Sequence, residues 1–274
     1  MGDFMYTGFK FENAVVWITG ASSGIGAEMA RQVAAKGARV VLSARSEKGL
    51  LAIADELELA PDRYIVLPLD VSQYENIGNK VDAVIDKFGR IDLLFNNAGI
   101  TQRSLCLDTP LKVYQQLMEV NVIGQIALTK AVLPIMQAQG SGHVAVTASV
   151  AGKVGAPLRT GYCATKHAVM GFFDALRSEV DQLNIQVTTV VPGFIKTDIA
   201  SRVASADGQA FTGDNSQIEN GMPVEDCVAV IIEGFESGAP EIHVGAGPEM
   251  DFIGLRHTHP EQLFKAAADM ARNG

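Results

Sequence analysis

Residues 14–26 read AVVWITGASSGIG, an apolar run that passes directly into a glycine-rich turn. The run at 14–19 is rich in β-branched residues and predicts a buried β-strand. The residues that follow, 24–36, carry apolar side chains at four-residue steps and predict a helix. A glycine-rich turn between a strand and a helix lets backbone N–H groups approach a pyrophosphate at the helix N-terminus. The stretch therefore predicts a βαβ unit that binds a dinucleotide.

The same alternation of strand and helix continues along the chain. Further strands are predicted at 38–44, 64–69, 91–96, 143–148, 185–191 and 241–244, and helices at 47–58, 72–88, 111–138, 162–183 and 223–236. Strands that are apolar on both faces and alternate with helices predict one parallel sheet covered by helices, an α/β fold in a single domain over 1–274. Three segments lie outside this rhythm: an N-terminal extension at 1–13, a Gly/Ser/Asp/Asn-rich stretch at 197–221, predicted as a mobile loop over the substrate, and an irregular tail at 246–274.

Composition excludes several classes of protein. Hydrophobic residues make up 47% of the chain and charged residues 19%, which is enough to build a core and excludes disorder. A net charge of −9 disfavours nucleic acid and anionic lipid surfaces as partners. The three cysteines are far apart and His257 and His259 lack a third ligand, so no metal is expected. With neither a signal peptide nor a membrane-spanning segment expected, we predict a soluble, cytoplasmic protein.

Several short motifs follow the glycine-rich turn in a fixed order. They are Asn96-Asn97-Ala98-Gly99 at the end of the fourth strand, Asn121 in the long helix, Ser149 after the fifth strand, Tyr162-Cys163-Ala164-Thr165-Lys166 thirteen residues later, and Pro192-Gly193 with Thr197 after the sixth strand. Together with Thr19-Gly20-Ala21-Ser22-Ser23-Gly24-Ile25-Gly26, this set resembles the short-chain dehydrogenase/reductase family over residues 14–245.

The resemblance implies a fold, a reaction and a set of site residues. The fold is a Rossmann-type doubly wound parallel sheet of about seven strands in the order 3-2-1-4-5-6-7, with helices on both faces. The reaction is hydride transfer between a nicotinamide cofactor and a small-molecule carbonyl or alcohol. Asn121, Ser149, Tyr162 and Lys166 would be catalytic, with Asn121 holding a water against the lysine. The cofactor contacts would be Gly20, Ser22, Ser23, Gly24, Ile25, Gly26, Arg45, Asp70, Val71, Asn97, Ala98, Gly99, Tyr162, Lys166, Pro192, Gly193, Ile195 and Thr197.

The catalytic residue types also make chemical sense without the family. Tyr162 and Lys166 are four residues apart and share one face of a helix. An ammonium about 4 Å from the phenol would lower the tyrosine pKa by about 3 units, enough for a general base near neutral pH. Ser149 can hydrogen-bond the substrate oxygen as charge develops on it.

The second strand indicates which cofactor is bound. NAD-binding proteins place a carboxylate at its end, on the ribose 2′-hydroxyl. Here Ala44 stands at that position and Arg45 follows it, where a guanidinium could clamp a 2′-phosphate. NADP(H) is therefore favoured over NAD(H), although Ser23 stands where many NADP-preferring relatives carry a second basic residue. Asp70 would accept a hydrogen bond from the adenine amine.

Apolar residues suggest a substrate class and an assembly. The predicted substrate pocket is mostly apolar and favours a hydrophobic ketone or aldehyde; it comprises Val150, Val154, Leu158, Phe194, Ile195, Ile199, Val203 and Phe211. The two long helices carry apolar residues over a wide arc, which predicts a homodimer or homotetramer; these residues are Leu117, Ile126, Leu133, Val169, Phe172, Phe173 and Leu176.

Alternative functions stay open at this point. A 3-oxoacyl thioester reductase of fatty-acid synthesis would need basic residues near the site, and Arg103, Arg159 and Arg202 keep that option open. A non-catalytic NADP-sensing protein of the same fold is disfavoured because the four catalytic positions are intact. A sugar-nucleotide epimerase shares the Tyr/Lys spacing but usually has a different glycine pattern and a longer substrate domain.

Overall fold

A seven-stranded parallel sheet organises the residues that the structure, a computed structural model, describes: 7–197, 203–204 and 216–273. Its strands are β1 (Val15–Thr19), β2 (Arg39–Ser43), β3 (Tyr64–Val66), β4 (Leu93–Asn96), β5 (Gly142–Thr147), β6 (Ile185–Pro192) and β7 (Glu241–Val244). They lie in the order β3-β2-β1-β4-β5-β6-β7 and every neighbouring pair is parallel. The predicted fold class and strand order are confirmed.

Helices cover both faces of the sheet. They are α1 (Gly24–Ala35), α2 (Glu47–Glu56), α3 (Ile77–Phe88), α4 (Leu111–Gln139), α5 (Thr160–Val180), α6 (Val224–Ser237), α7 (Asp251–Thr258) and α8 (Pro260–Asn273). Strand β1 shows how the core divides, because Val16 and Ile18 join one apolar cluster with α1, α2 and α6, whereas Val15 and Trp17 join another with α3, α4 and α5. All five residues of β1 are buried, as expected for a central strand of a parallel sheet.

Two predicted boundaries around β3 and α3 were wrong. The strand ends at Val66, shorter than predicted, although the Leu67 and Leu69 N–H groups still donate to the Leu42 and Ala44 carbonyls at 2.9 and 3.0 Å. The helix begins at Ile77 rather than at residue 72. Asp70 explains the delay, because its carboxylate accepts hydrogen bonds from the Ser72 N–H (3.0 Å) and hydroxyl (2.7 Å) and so forms a turn.

The tail after Gly245 is helical, so its prediction as an irregular segment was wrong. Helices α7 and α8 follow a short 3₁₀ turn at Pro248–Met250. Pro260 stands at the first position of α8, where its missing N–H has no intrahelical partner to lose. Leu263 is 2% exposed and joins the core cluster under α3, α4 and α5. Tertiary contact through this leucine ties the tail to the domain.

Helix α4 is interrupted by a π-helical segment at Glu119–Ile123, which contains Asn121. Its 29 residues have a mean hydropathy of 1.2 in their most apolar window, enough by length and composition to cross a membrane, contrary to the expectation from the sequence. Core helices meet the same two criteria, and α4 places Leu128, Val132 and Met136 in the core cluster with 0% exposure.

Candidate functional site

The turn between β1 and α1 leaves backbone groups accessible to a ligand. Gly20 and Gly24 have φ angles of 69° and 55°, a conformation that L side chains rarely adopt. A β-carbon on Gly26 would overlap the Gly20 carbonyl oxygen and lie 2.6 Å from Asn97 Nδ2. Ser23 precedes α1 in an extended conformation and its side chain does not cap the helix. The first N–H groups of α1 make no hydrogen bond with a described residue, so they can receive a phosphate.

A hydrogen-bond network joins this turn to the ends of β4 and β5. The Thr19 hydroxyl accepts from the backbone N–H groups of Asn97 (2.9 Å) and Ala98 (3.0 Å). The Asn97 side chain donates to the Thr19 carbonyl (3.0 Å) and accepts from the Thr147 hydroxyl (3.1 Å). Both polar ends of Asn97 are therefore used to hold three strand ends together, and its contribution to a cofactor site is to position the backbone there.

The end of β2 supplies the predicted adenosine side of the site. Arg45 is exposed and makes no hydrogen bond or ion pair with a described residue. The neighbouring Ser46, and not Arg45, caps α2 by accepting from the Gly49 N–H at 3.1 Å. A β-carbon on Gly49 would lie 3.0 Å from the Ser22 β-carbon, so this turn packs directly against the turn before α1. The predicted contact of Arg45 with a 2′-phosphate therefore stays a prediction.

Asp70 and Val71 lie after β3 and are less open than the sequence suggested. One oxygen of the Asp70 carboxylate accepts both hydrogen bonds from Ser72, which leaves the other for a ligand. Val71 is 5% exposed and lies against Gly124 of α4. Its side chain is part of the core, so any contact with a cofactor would come from its backbone.

The segment after β6 returns to the glycine-rich turn. Thr197 places its side chain 3.3 Å from where a β-carbon on Gly24 would be. Ile195 is 6% exposed and belongs to a short strand, Ile195–Lys196, that pairs with Met222–Pro223. Gly193 leaves room for the Glu249 carboxylate, which accepts from the Phe194 N–H at 2.9 Å. The tail thus supports the turn that follows Pro192.

Three of the four predicted catalytic residues meet at the carboxyl ends of β5 and β6. Ser149 begins a short 3₁₀ turn after β5, and its hydroxyl accepts from the Ala151 N–H at 3.1 Å. Tyr162 and Lys166 lie one turn apart on α5, and the Ser149 hydroxyl, which donates to the Pro192 carbonyl at 3.5 Å, is near enough to Tyr162 to lower its pKa. Lys166 Nζ donates to the Thr147 carbonyl at 2.6 Å and lies 5.6 Å from the centre of the Tyr162 ring.

Asn121, the fourth predicted catalytic residue, lies in the π-helical segment of α4. Its amide exchanges two hydrogen bonds of 2.8 Å with the Ile100 backbone and donates a third to Thr165 Oγ1 at 3.1 Å. A β-carbon on Gly99 would lie 3.3 Å from Asn121 Oδ1 and 4.0 Å from Lys166 Nζ. The glycine therefore keeps open the space between the amide and the ammonium.

Burial dominates the electrostatics of this cluster. It raises the pKa of Tyr162 above its usual value, against the hydrogen bond from Ser149 and the positive charge of Arg159, which both lower it. The same burial lowers the pKa of Lys166 to about 8. The sequence argument expected the lysine to lower the tyrosine pKa. That direction was wrong for this structure, because desolvation of the phenolate outweighs the lowering by Ser149 and Arg159.

Sequence reasoning missed the residues that support the site. The hydrogen bonds of Thr19, Thr147 and Thr165 hold its backbone and side chains, and they join residues 44 to 78 apart in the sequence. Glu249 lies in the tail that was predicted to be irregular. Of the predicted substrate-pocket residues, Val150 and Val154 are buried at 6% and 4% exposure, whereas Leu158 and Phe194 are partly exposed. Ile199, Phe211, Arg202 and the Val203 side chain lie outside the described residues, as does most of the predicted loop at 197–221.

Comparison with known proteins shows the family. The family model for short chain dehydrogenases matches residues 14–208. Dehydrogenase/reductase SDR family member 7B of Bos taurus is 40% identical over 267 residues, covering 95% of this chain and 82% of its own. Dehydrogenase/reductase SDR family member 7 of Homo sapiens is 36% identical over 245 residues, covering 88% and 72%.

A solved structure agrees equally well in three dimensions. A short chain dehydrogenase/reductase from Burkholderia phymatum, in complex with NAD, is 28% identical, superposes with a TM-score of 0.82, and covers 93% of this chain and 96% of its own. The chain belongs to the short-chain dehydrogenase/reductase family of oxidoreductases, whose fold binds a nicotinamide cofactor. The open turn before α1 and the glycine-lined strand ends fit such a dinucleotide.

Proposed function

We propose that the chain is an NADP(H)-dependent oxidoreductase that moves a hydride between nicotinamide and a carbonyl or secondary alcohol. The observation that carries the proposal is that the partly buried Ser149 and Tyr162 lie together beside the buried Lys166 at the carboxyl edge of the sheet. NADP(H), when bound, supplies or accepts the hydride. The chain's own residues would hold the substrate oxygen and move its proton.

Each residue has a distinct part in that proton movement. Ser149 donates a hydrogen bond to the substrate oxygen, which becomes negative as hydride arrives in reduction. Tyr162 donates its phenolic proton to the same oxygen, and its raised pKa keeps it protonated at neutral pH for this step. Lys166 stabilises the phenolate that remains. Asn121 and the open space at Gly99 give Lys166 a route for proton exchange.

The Tyr162→Phe variant tests the reaction. It removes the proton donor alone, so turnover should fall by about 10²- to 10⁴-fold while NADPH affinity, measured by fluorescence, stays nearly unchanged. Tyr74→Phe is the matched control, because Tyr74 is 42% exposed in the short turn before α3 and is not one of the predicted site residues. Turnover of Tyr162→Phe above about a tenth of wild type would contradict the assignment.

The preference for NADP(H) is supported by Ala44 and the exposed Arg45 beside the phosphate turn. Arg45→Ala should weaken NADPH binding far more than NADH binding, by about 10-fold or more for a lost charge-assisted pair with phosphate. Ala44→Asp should shift preference towards NAD(H) by placing a carboxylate against that phosphate. Lys48→Ala, also exposed and on α2, is the control. Equal use of NADH and NADPH by the wild type would refute the proposal.

A hydrophobic ketone or aldehyde is the proposed substrate class, supported by the partly exposed Leu158 and Phe194 beside the cluster. We also propose a cytoplasmic homodimer or homotetramer with no membrane or nucleic-acid partner. Four of the seven apolar side chains that suggested the interface, Leu117, Val169, Phe173 and Leu176, are buried within the chain. Support for assembly therefore comes from the partly exposed Ile126, Leu133 and Phe172 alone.

A further inference from the structure

Arg159 lies in the turn that precedes α5, three residues before Tyr162. Leu158 before it has a φ of 63°, and its carbonyl accepts hydrogen bonds from the Ser104 N–H (2.9 Å) and from Gln102 Nε2 (3.1 Å). The turn is therefore fixed to the segment that follows β4. That segment pairs in turn with Val203–Ala204, so Arg159 stands where three stretches of chain meet beside the cluster.

The Arg159 guanidinium has fewer partners than its position requires. It is partly buried, and Nη1 donates one hydrogen bond, to the neutral Thr101 hydroxyl at 3.1 Å. No described carboxylate lies within 4 Å of it. By contrast, the guanidinium groups of Arg31, Arg90 and Arg177 each pair with a carboxylate at 2.6–3.2 Å.

The charge of Arg159 also acts on the reacting group. Burial lowers the Arg159 pKa and the neighbouring charge of Arg103 lowers it further, which describes a partly desolvated positive region. The positive charge of Arg159 in turn lowers the Tyr162 pKa, so the guanidinium acts over the short range at which a substrate would lie. This positive region stands in a protein of net charge −9.

A partly buried guanidinium whose five donors have one hydrogen-bond partner among the described residues is poorly compensated there for the water it has lost. An anion from outside the chain would supply the acceptors, and the planar fork suits the two oxygens of a carboxylate or phosphate. We propose that Arg159 binds an anionic group of the substrate, placed a short chain away from the carbonyl that Tyr162 protonates. This inference rests on the proposed function and narrows its substrate to a hydrophobic carbonyl compound that carries an acid.

A matched series of substrates tests the assignment. Aliphatic oxo acids and their methyl esters have the same reacting carbonyl and differ in one charge. Wild type should prefer the acid by about 10- to 100-fold in kcat/KM, the range of one charge-assisted hydrogen-bonded pair. Arg159→Gln should lower this ratio to about 1, because the acid then has no charged partner to distinguish it from its ester. An oxo phosphate monoester in the same panel separates phosphate from carboxylate.

Two further variants keep the result interpretable. Arg159→Lys keeps the charge without the fork and should give an intermediate ratio. Lys112→Gln, an exposed cation on α4, should leave the ratio as in wild type. NADPH binding by fluorescence establishes that each variant is folded.

The outcomes separate the two proposals. The role of Arg159 is overturned if the wild type reduces the ester as well as it reduces the acid and the phosphate, or if its preference for the acid persists in Arg159→Gln. Either result leaves the proposed function standing. The proposed function itself is overturned if the wild type binds NADPH but reduces no member of the panel and no ketone in a wider neutral set.

Discussion

Replacing Thr19 by valine removes a hydroxyl that two backbone donors share, at nearly unchanged volume. The Asn97 and Ala98 N–H groups donate to Thr19 Oγ1 at 2.9 and 3.0 Å, and Thr19 is 1% exposed. A buried donor left without an acceptor costs about 1–3 kcal/mol. Asn97 and Ala98 are themselves partly exposed and water can satisfy part of the loss, so we expect about 2–4 kcal/mol for the pair. That is a large share of the 5–15 kcal/mol typical of folded proteins.

Thr189→Val is the matched control, because Thr189 is 0% exposed in β6 of the same sheet and its hydroxyl has no hydrogen-bond partner among the described residues. The same substitution there should be neutral or stabilising by about 1 kcal/mol. Urea unfolding followed by circular dichroism gives the two free energies of unfolding. Equal midpoints for the two variants would show that the network at Thr19 contributes nothing to stability. A normal Thr19→Val midpoint with weakened NADPH binding would place its role in the cofactor site alone.

Two further predictions concern pH and assembly. Burial lowers the pKa of His143 to about 3. Since the pKa in the unfolded chain is near 6.5, the unfolded chain takes up a proton at pH 5 that the folded chain does not. The free energy of unfolding should therefore fall by about 2 kcal/mol between pH 7 and pH 5. His143→Gln, which can still hydrogen-bond Thr188, should flatten that part of the profile, and an unchanged slope would argue against a neutral buried imidazole. Light scattering at micromolar concentration should give the mass of a dimer or tetramer, with a mass near 29.1 kDa counting against the proposed assembly.

Much of the candidate site can be predicted from local sequence. The turn at Gly20, Gly24 and Gly26 needs glycine because two positions have positive φ and the third lies against backbone. Tyr162 and Lys166 share a helix face because they are four residues apart. These are short-range consequences of backbone geometry, so a pattern in one stretch of chain is enough to reveal them.

The electrostatics of the site could not be predicted in this way. The pKa of Tyr162 depends on how much water its surroundings exclude, and burial sets the pKa of Lys166 as well. The spacing of Tyr162 and Lys166 in the sequence predicts neither of these effects. The direction of the tyrosine pKa was therefore predicted wrongly while the residues themselves were placed together.

What the sequence determined by itself is the order of strands and helices, and with it the parallel sheet, since alternating elements with apolar strands bury their surfaces in few ways. Tertiary structure decided how distant residues complete the site: Thr19 and Thr147 meet through Asn97, Glu249 reaches the turn after Pro192, and Arg159 lies beside Tyr162 with one neutral partner. The physical reason is the distance along the chain over which each kind of interaction acts. Backbone periodicity acts over a few residues, whereas these hydrogen bonds and charges join atoms 50 to 80 residues apart that only the packed sheet brings within 3 Å or so of each other.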